Sequence, residues 1–512
     1  MQQATVSPIT SPAEKRYRTI AIVIIMMGVT MSAVDTTAVV LGLPRMIQDL
    51  QSDIISMIWV IMAYLLVITV FGTQVGRLGD MFGRVRMYNL GFAVFTLGSL
   101  ACGLSISGPQ LISFRVLQGF GGALIASNSG AIIADTFPAN QRGRAYGYTG
   151  VGWSVGAVLG ILVGGALVTF LSWRYIFFIN LPIGVIATVA GYFLLEERSP
   201  KIKATLDIGG IALLGVGLFL VLLAITDITG YGWSARYGIE LLAGLAFIAG
   251  FVAWERRFPS PLLDLSLLRQ RVLTASVFAA FFQALASFAV LFLIIMYLQG
   301  PRGMSPWNAS LLLIPGYLVG GMIAPLAGRS SDRLGARVIA SAGLAFQAVG
   351  ILVYSSLGLG TSVYIVVLGA LINGVGSSTF MPANQSAVMA SAPPRAYGVT
   401  SGLLRTLSNL GMVSSFAVAL LISSISVPRQ VAFQIFLGVG GGIHGQLSSA
   451  FVQGMHSALL ASISLLVVAF LLSILRGRES RTVQNQAGRP RTAIAPLSDQ
   501  TELSRCAKSA RD

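Results

Sequence analysis

Gly76-Arg77-Leu78-Gly79-Asp80-Met81-Phe82-Gly83-Arg84-Val85-Arg86 is a short charged stretch between two long apolar runs, in a chain where 10% of residues carry charge. A weaker copy begins 252 positions later: Gly328-Arg329-Ser330-Ser331-Asp332-Arg333-Leu334-Gly335-Ala336-Arg337. Both copies keep a glycine, an aspartate four residues on, and a second glycine three residues further. A polar loop repeated inside an apolar chain implies two copies of one helical unit.

The composition says what kind of unit. Of 512 residues, 55% are hydrophobic and the mean hydropathy is +0.79, whereas a soluble domain carries roughly 25% charged residues. This is the composition of an all-α polytopic membrane protein. The net charge of +16 is scattered over short loops and a tail. That pattern suits an anionic membrane surface and argues against nucleic acid, which wants charge gathered on one face. Cys102 and Cys506 are too far apart in sequence to suggest a disulfide framework or a metal-ligand pair, so no metal or cofactor is expected. Lys15, Arg16 and Arg18 precede an apolar run too long for a signal-peptide core, and that run reads as the first span.

A bilayer core of ~30 Å needs about 20 apolar residues per helix. Runs of that kind lie near 19–43, 55–75, 87–107, 109–133, 145–170, 175–194, 206–226, 237–254, 272–298, 307–327, 338–357, 362–383, 398–423 and 455–475, which predicts fourteen spans. With the N-terminus inside, 27 of the 34 Lys and Arg fall in cytoplasmic segments. Arg45, Arg174, Arg236, Arg302 and Arg429 fall outside, and Arg115 and Arg405 fall within spans. The asymmetry predicts both termini cytoplasmic. The two loop copies follow spans 2 and 10, so the expected architecture is two six-helix bundles (19–194 and 272–475) with a two-helix insert and its loops (195–271) between them. A cytoplasmic N-terminus (1–18) and a basic, disordered tail (476–512) complete it. The bundles relate about an axis along the membrane normal. The outer segment 424–454, with Gly438 to Gly442, reads as a re-entrant or interfacial piece.

Several stretches resemble a known family. Gly76–Arg86 resembles the signature loop of the major facilitator superfamily, and Arg115-Val-Leu-Gln118-Gly119 is similar to its span-4 motif. Asp35-Thr36-Thr37-Ala38-Val39-Val40-Leu41-Gly42-Leu43-Pro44 and Trp173-Arg174-Tyr175-Ile176-Phe177-Phe178-Ile179-Asn180-Leu181-Pro182 resemble motifs of its fourteen-span drug:proton antiporter branch. The span-5 motif departs from that pattern: Gly160-Ile161 stands where antiporters have Gly-Pro before Gly164-Gly165. The resemblance implies export of small molecules in exchange for protons, by alternating access, in the cell membrane; the alternative is a carrier of the same fold that exports an endogenous lipid, siderophore or metabolite, or that takes up its substrate with protons. It implies no cofactor and function as a monomer.

The residues suggest how that exchange works. Asp35 is the one carboxylate deep within a span, where an unpaired charge costs at least several kcal/mol, so it is a proton-coupling candidate. At ~1.5 Å per residue, Asp35 and Arg115 lie about 12 and 9 Å from the outer ends of spans 1 and 4 and share a level. Arg115 is the expected partner. From Val272 to Leu475 the only acid is Asp332, so the second half supplies no carboxylate to a central cavity. That favours a monovalent lipophilic cation or a neutral amphiphile over a dication. Phe278, Phe281, Phe282, Phe288 and Phe292 in span 9 and Trp153 in span 5 offer aromatic faces for such a ligand, or simply pack. Gln118, Asn128, Gln283, Asn373, Asn384 and Gln385 line the cavity or bond neighbouring helices. Arg405 reaches either the inner surface or the substrate. Gly152, Gly156, Gly160 and Gly164 form a small-residue stripe, read as a rocking surface or as static packing.

Gly76, Asp80, Gly83, Arg84, Asp135 and Asp332 are expected at a cytoplasmic gate. There Asp80 caps a helix end of the other half and Arg84 pairs with Asp135, while Arg77 and Arg86 set topology. The competing classes find little support. Gly152-Trp153-Ser154-Val155-Gly156 matches a hydrolase pattern but lies within an apolar helix, far in sequence from His444 and His456. The sequence contains no Walker A motif and no filter loop beyond the glycines at 438–442.

Overall fold

The computed structural model describes residues 11–198, 201, 205–258, 268–391, 397–425 and 446–477. Among them the regular structure consists of fifteen α-helices, the form in which a chain in lipid satisfies its backbone internally. The first unit runs α1 (Pro12–Asp49), α2 (Ile54–Phe82), α3 (Arg84–Gly103), α4 (Gly108–Thr136), α5 (Ala139–Phe170), α6 (Tyr175–Phe178) and α7 (Asn180–Leu194). The insert is α8 (Ile208–Tyr231) and α9 (Ala235–Glu255). The second unit runs α10 (Arg271–Gln299), α11 (Pro306–Leu334), α12 (Ala336–Tyr354), α13 (Tyr364–Ser391), α14 (Tyr397–Ile425) and α15 (Gln446–Leu475). Among the described residues 13 spans are long and apolar enough to cross a membrane, α6 and α7 together making one of them. The 29-residue α14 stands between the last two. Residues 426–445, which hold most of the expected outer segment and His444, and the tail beyond Gly477 lie outside the described residues.

The repeat is visible in the backbone. Helices α2 and α11 are both 29 residues long. Each starts at a side-chain cap: Asp53 accepts the N–H of Ser56 at 3.1 Å, and Ser305 accepts that of Asn308 at 3.2 Å. Each ends at the second glycine of the repeated loop, with φ of 113° at Gly83 and 92° at Gly335. A side chain is strained at those angles, so the repeated glycine is fixed by the turn from one span into the next. Register persists beyond the loop. A Cβ on Gly98 would stand 2.7 Å from the Gln118 Cα, and one on Gly350 would stand 2.6 Å from the Asn373 nitrogen. Each copy therefore packs its third helix backbone to backbone on its fourth.

The glycine stripe of α5 packs against α1, inside the first bundle. A Cβ on Gly156 would lie 2.6 Å from the Thr30 carbonyl oxygen, and one on Gly160 would lie 2.7 Å from that of Val34. The static-packing reading describes this contact. The surface between the halves is instead built by α5 with α11 and by α2 with α14. At the end where α1 finishes, the Gln299 amide donates to the Leu41 carbonyl (3.3 Å) and the Trp307 N–H to Thr169 Oγ1 (3.0 Å). Towards the other end Thr73 and Thr406 pair their hydroxyls at 3.3 Å.

The insert packs on both bundles: Leu214 and Leu218 share an apolar cluster with Val70 of α2 and with Val277 of α10 and Leu403 of α14. Its α8 lies along α2, with the Phe219 and Trp59 rings 5.3 Å apart. Buried Asp207 caps α8 through the Gly210 N–H (2.7 Å) and accepts from Trp254 Nε1 (2.8 Å), while its own N–H donates to Gln74 (3.2 Å). Arg77, expected only to set topology, donates to the Thr205 carbonyl at 3.1 Å and holds the linker.

Candidate functional site

Asp35 and Arg115 meet inside the first bundle. Arg115 donates to Asp35 Oδ2 at 2.7 Å, with 1% of the arginine and none of the aspartate side chain exposed. Position alone brings them to one level, α1 and α4 running in opposite directions. The surroundings then satisfy both charges, which is the condition for a buried ion pair to persist. Gln118, one helical turn from Arg115, bridges the pair: its Nε2 donates to Asp35 Oδ1 (2.9 Å) and its Oε1 accepts from Arg115 (2.6 Å). Arg115 Nε also donates to the Val60 carbonyl on α2 (2.8 Å), and its guanidinium lies 4.3 Å from the Tyr64 ring centroid.

Two polar residues complete the site: Ser99, and Asn180, which the sequence offered only as part of the Trp173–Pro182 motif. Asn180, the first residue of α7, donates to Asp35 Oδ1 at 3.4 Å and to Ser99 Oγ at 3.0 Å. Ser99 on α3 also accepts from Gln118 (3.2 Å) and gives its own proton to the Phe177 carbonyl (2.9 Å). The Cys102 thiol lies 3.7 Å from Gln118 Oε1. Asp35, Ser99, Gln118 and Asn180 are all fully buried, so the constellation is a sealed knot among α1, α3, α4 and α7. In this conformation Asp35 presents no surface to a substrate.

The other cavity candidates disperse. Gln283 donates to Gln347 at 3.2 Å within the second bundle. Asn384 donates to the Ser276 carbonyl (3.0 Å) and accepts from buried Arg476 (3.4 Å), so Arg476 belongs to the bundle and not to the tail. Asn128 donates to the Leu124 carbonyl (2.9 Å) and backs Gly79, and Asn373 backs Gly350. Phe281 and Phe282 meet edge to face, and Phe288 packs on Phe416. Trp153 is 41% exposed. Ser154 bonds the Gly150 carbonyl of its own helix (3.2 Å), and His456 bonds the Leu357 carbonyl (2.7 Å), so neither forms part of a nucleophile pair. Arg405, exposed on α14, donates to the Ala126 carbonyl on α4, across the seam, at 2.6 Å.

The signature loop forms a second charged group. Arg84 joins Asp80 (2.7 Å) and Asp135 (2.6 Å), clamping the junction of α2, α3 and α4. Among the described residues the Asp80 carboxylate pairs with Arg84 of its own half. The cap on α3 comes from Glu197, just beyond α7, whose carboxylate accepts the N–H groups of Arg84 (2.8 Å), Val85 (3.1 Å) and Arg86 (3.4 Å). An anion at a helix N-terminus is favoured by the dipole and by the unpaired N–H groups. These partners all lie in the first half, so the loop ties that half together at one end. Gly76 sits in loose contact with Ser127. The side chain of Asp332 lies outside those described. Replacing Glu197 with Ala is expected to cost about 1 kcal/mol of stability, read as a lowered melting temperature of purified protein. Glu196→Ala, whose side chain makes no cap, should leave the melting temperature nearly unchanged.

Comparison with known proteins agrees with this fold. The family model described as Major Facilitator Superfamily matches residues 20–416. The chain is 31% identical over 396 residues to the riboflavin transporter RibZ of Clostridioides difficile, covering 77% of this chain and 86% of that protein. It is 33% identical over 395 residues to the tetracenomycin C resistance and export protein of Streptomyces glaucescens, covering 75% and 72%. Among solved structures, a bacterial homologue of the human lysosomal transporter Spinster, in an inward-facing and unoccupied conformation, superposes with a TM-score of 0.66 at 18% identity. That superposition covers 94% of this chain and 100% of that one. With its repeated loop, its two bundles and a family match over most of its length, the chain belongs to the major facilitator superfamily.

Proposed function

We propose that this protein is a proton-coupled antiporter of the cell membrane, with both termini cytoplasmic, that exports lipophilic or monocationic small molecules by alternating access and works as a monomer. The observation that carries the reading is the sealed Asp35–Arg115 pair. A proton on Asp35 cancels its charge and leaves Arg115 buried without a counterion, which is strongly unfavourable. Protonation is therefore linked to a rearrangement of α1 against α4, and by reciprocity any rearrangement that parts the pair changes proton affinity. Alternating access supplies such a rearrangement, and the seam built of α5 with α11 and α2 with α14 is where the halves would rock. The signature loop and Glu197 keep the first half rigid during that motion. Arg405, reaching to α4, acts as a contact made in one state and released in the other.

The substrate class follows from charge. With one buried acid in the first half and none in the spans of the second, a dication finds no pair of carboxylates. Relatives named for multidrug resistance and for tetracenomycin C export support the direction. A panel of lipophilic cations and neutral amphiphiles, tested in inverted membrane vesicles, checks the reading. Uphill accumulation driven by an acid interior is expected for at least one compound. Downhill flux indifferent to pH for every transported compound would remove proton antiport.

A further inference from the structure

Asn180 carries a feature that the ion pair alone does not explain. It is fully buried and stands early in the sixth span, two residues before Pro182. Its orientation is set by its neighbours. Ser99 gives its only proton to the Phe177 carbonyl (2.9 Å), so its oxygen can only accept, and Asn180 must turn Nδ2 towards Ser99 (3.0 Å) and Asp35 (3.4 Å). That leaves Asn180 Oδ1 buried with no hydrogen-bond partner among the described residues. An orphaned amide oxygen carries a desolvation cost, and such groups call for an explanation.

The protonated form of Asp35 supplies one. Its O–H needs an acceptor, and the neighbouring oxygens are engaged. Gln118 Oε1 already receives Arg115 and the Cys102 thiol, and Ser99 Oγ receives both side-chain amides. The charged and titratable groups facing Asp35 are Arg115 on α4, Tyr64 on α2 and Cys102 on α3. The oxygen with room is that of Asn180.

We propose that Asn180 is a positioning residue for proton exchange: its Nδ2 serves the ionised form, and its amide turns about the Cβ–Cγ bond so that Oδ1 accepts the O–H of protonated Asp35, the Ser99 hydroxyl turning its proton from the Phe177 carbonyl to the same oxygen. The step makes and breaks a single covalent bond. A proton from water on one side joins Asp35 Oδ1, the attraction to Arg115 weakens, and the same proton later leaves to water on the other side. The inference rests on the proton-exchange reading above.

Infrared difference spectroscopy of purified protein, titrated with acid and without any substrate, tests it. Wild type should show a protonated-carboxyl band that Asp35→Asn abolishes. In Asn180→Leu that band should move to higher wavenumber, its O–H having lost its acceptor. Its midpoint should move little, because the variant loses a donor to the ionised carboxylate together with an acceptor for the protonated one. The isosteric Asn180→Asp adds a carboxylate able to share the proton and should move the midpoint to a lower proton concentration. Because that substitution conserves shape, its result holds even if the leucine variant fails to fold, and melting curves of both report folding. A wild-type band whose frequency and midpoint are unchanged in the variants overturns the role of Asn180 and leaves proton exchange standing. A wild-type protein with no Asp35-dependent band overturns both.

Discussion

Asp35→Asn is expected to reduce exchange driven by a pH gradient at least about a hundredfold while the protein still inserts and folds. Asparagine keeps the shape and one acceptor but cannot take up or release a proton. The substitution also strips Arg115 of its counterion, and removing one member of a buried pair costs about 3–5 kcal/mol. Arg115 keeps its bonds to the Val60 carbonyl and Gln118 (2.8 and 2.6 Å), so the loss should fall at the lower end of that range and appear as a reduced melting temperature. The double variant Asp35→Asn/Arg115→Gln separates the two effects. It removes the stranded charge and should recover much of the stability, yet it should exchange no better than the single variant. Recovery of both would make the pair a stability device; recovery of stability alone assigns coupling to the carboxylate. Uptake into inverted vesicles with and without an acid interior, beside melting curves, reads both quantities.

Gly160→Leu is expected to have an effect of comparable size by a different route. A Cβ at this position already meets the Thr37 hydroxyl and lies 2.7 Å from the Val34 carbonyl oxygen. Even one added methyl in a packed core costs about 1–3 kcal/mol. Leucine needs α1 and α5 to part, and the atoms it displaces flank Asp35 on both sides. Misplacing a reacting group by about 1 Å can cost roughly a hundredfold. Gly160→Ala should therefore depress exchange and melting temperature measurably, and Gly160→Leu should leave little folded protein. Gly150→Ala on the same helix is the control: nothing lies within 4 Å of a Cβ there, so exchange should be unchanged. Equal tolerance at the two positions, measured as folded yield and transport, would contradict the packing described for α1 and α5.

These residues also show what a sequence reveals and what it withholds. The spans were legible because lipid leaves the backbone one solution, and the repeat because charge is scarce enough for Asp80 and Asp332 to stand out. The level shared by Asp35 and Arg115 followed from helix rise alone. Ser99 and Asn180 were not legible as site members: a neutral polar residue in an apolar run looks the same whether it bonds a carboxylate or a neighbouring backbone. Glu197 caps α3 from a position more than a hundred residues away, a pairing that no local motif encodes. Arg77 and Arg476 read as topology charges because basic residues cluster at span ends for that purpose, and only the fold shows Thr205 beside one and Asn384 beside the other. The stripe from Gly152 to Gly164 announced close approach but not the partner, and α1 lies in the same half.

The central claim is that the ionised Asp35–Arg115 pair and the bound proton are alternatives set by the transport cycle. Its most direct test is proton release on substrate binding. Purified protein is held in weakly buffered detergent solution with a pH indicator, and a compound shown to be transported is added. Release of protons that saturates with the compound and is absent in Asp35→Asn is expected, since exchange of substrate for protons makes the two bound states alternatives and the linkage is reciprocal. Saturable binding with no proton released by the wild type, or release that persists in Asp35→Asn, would contradict that claim.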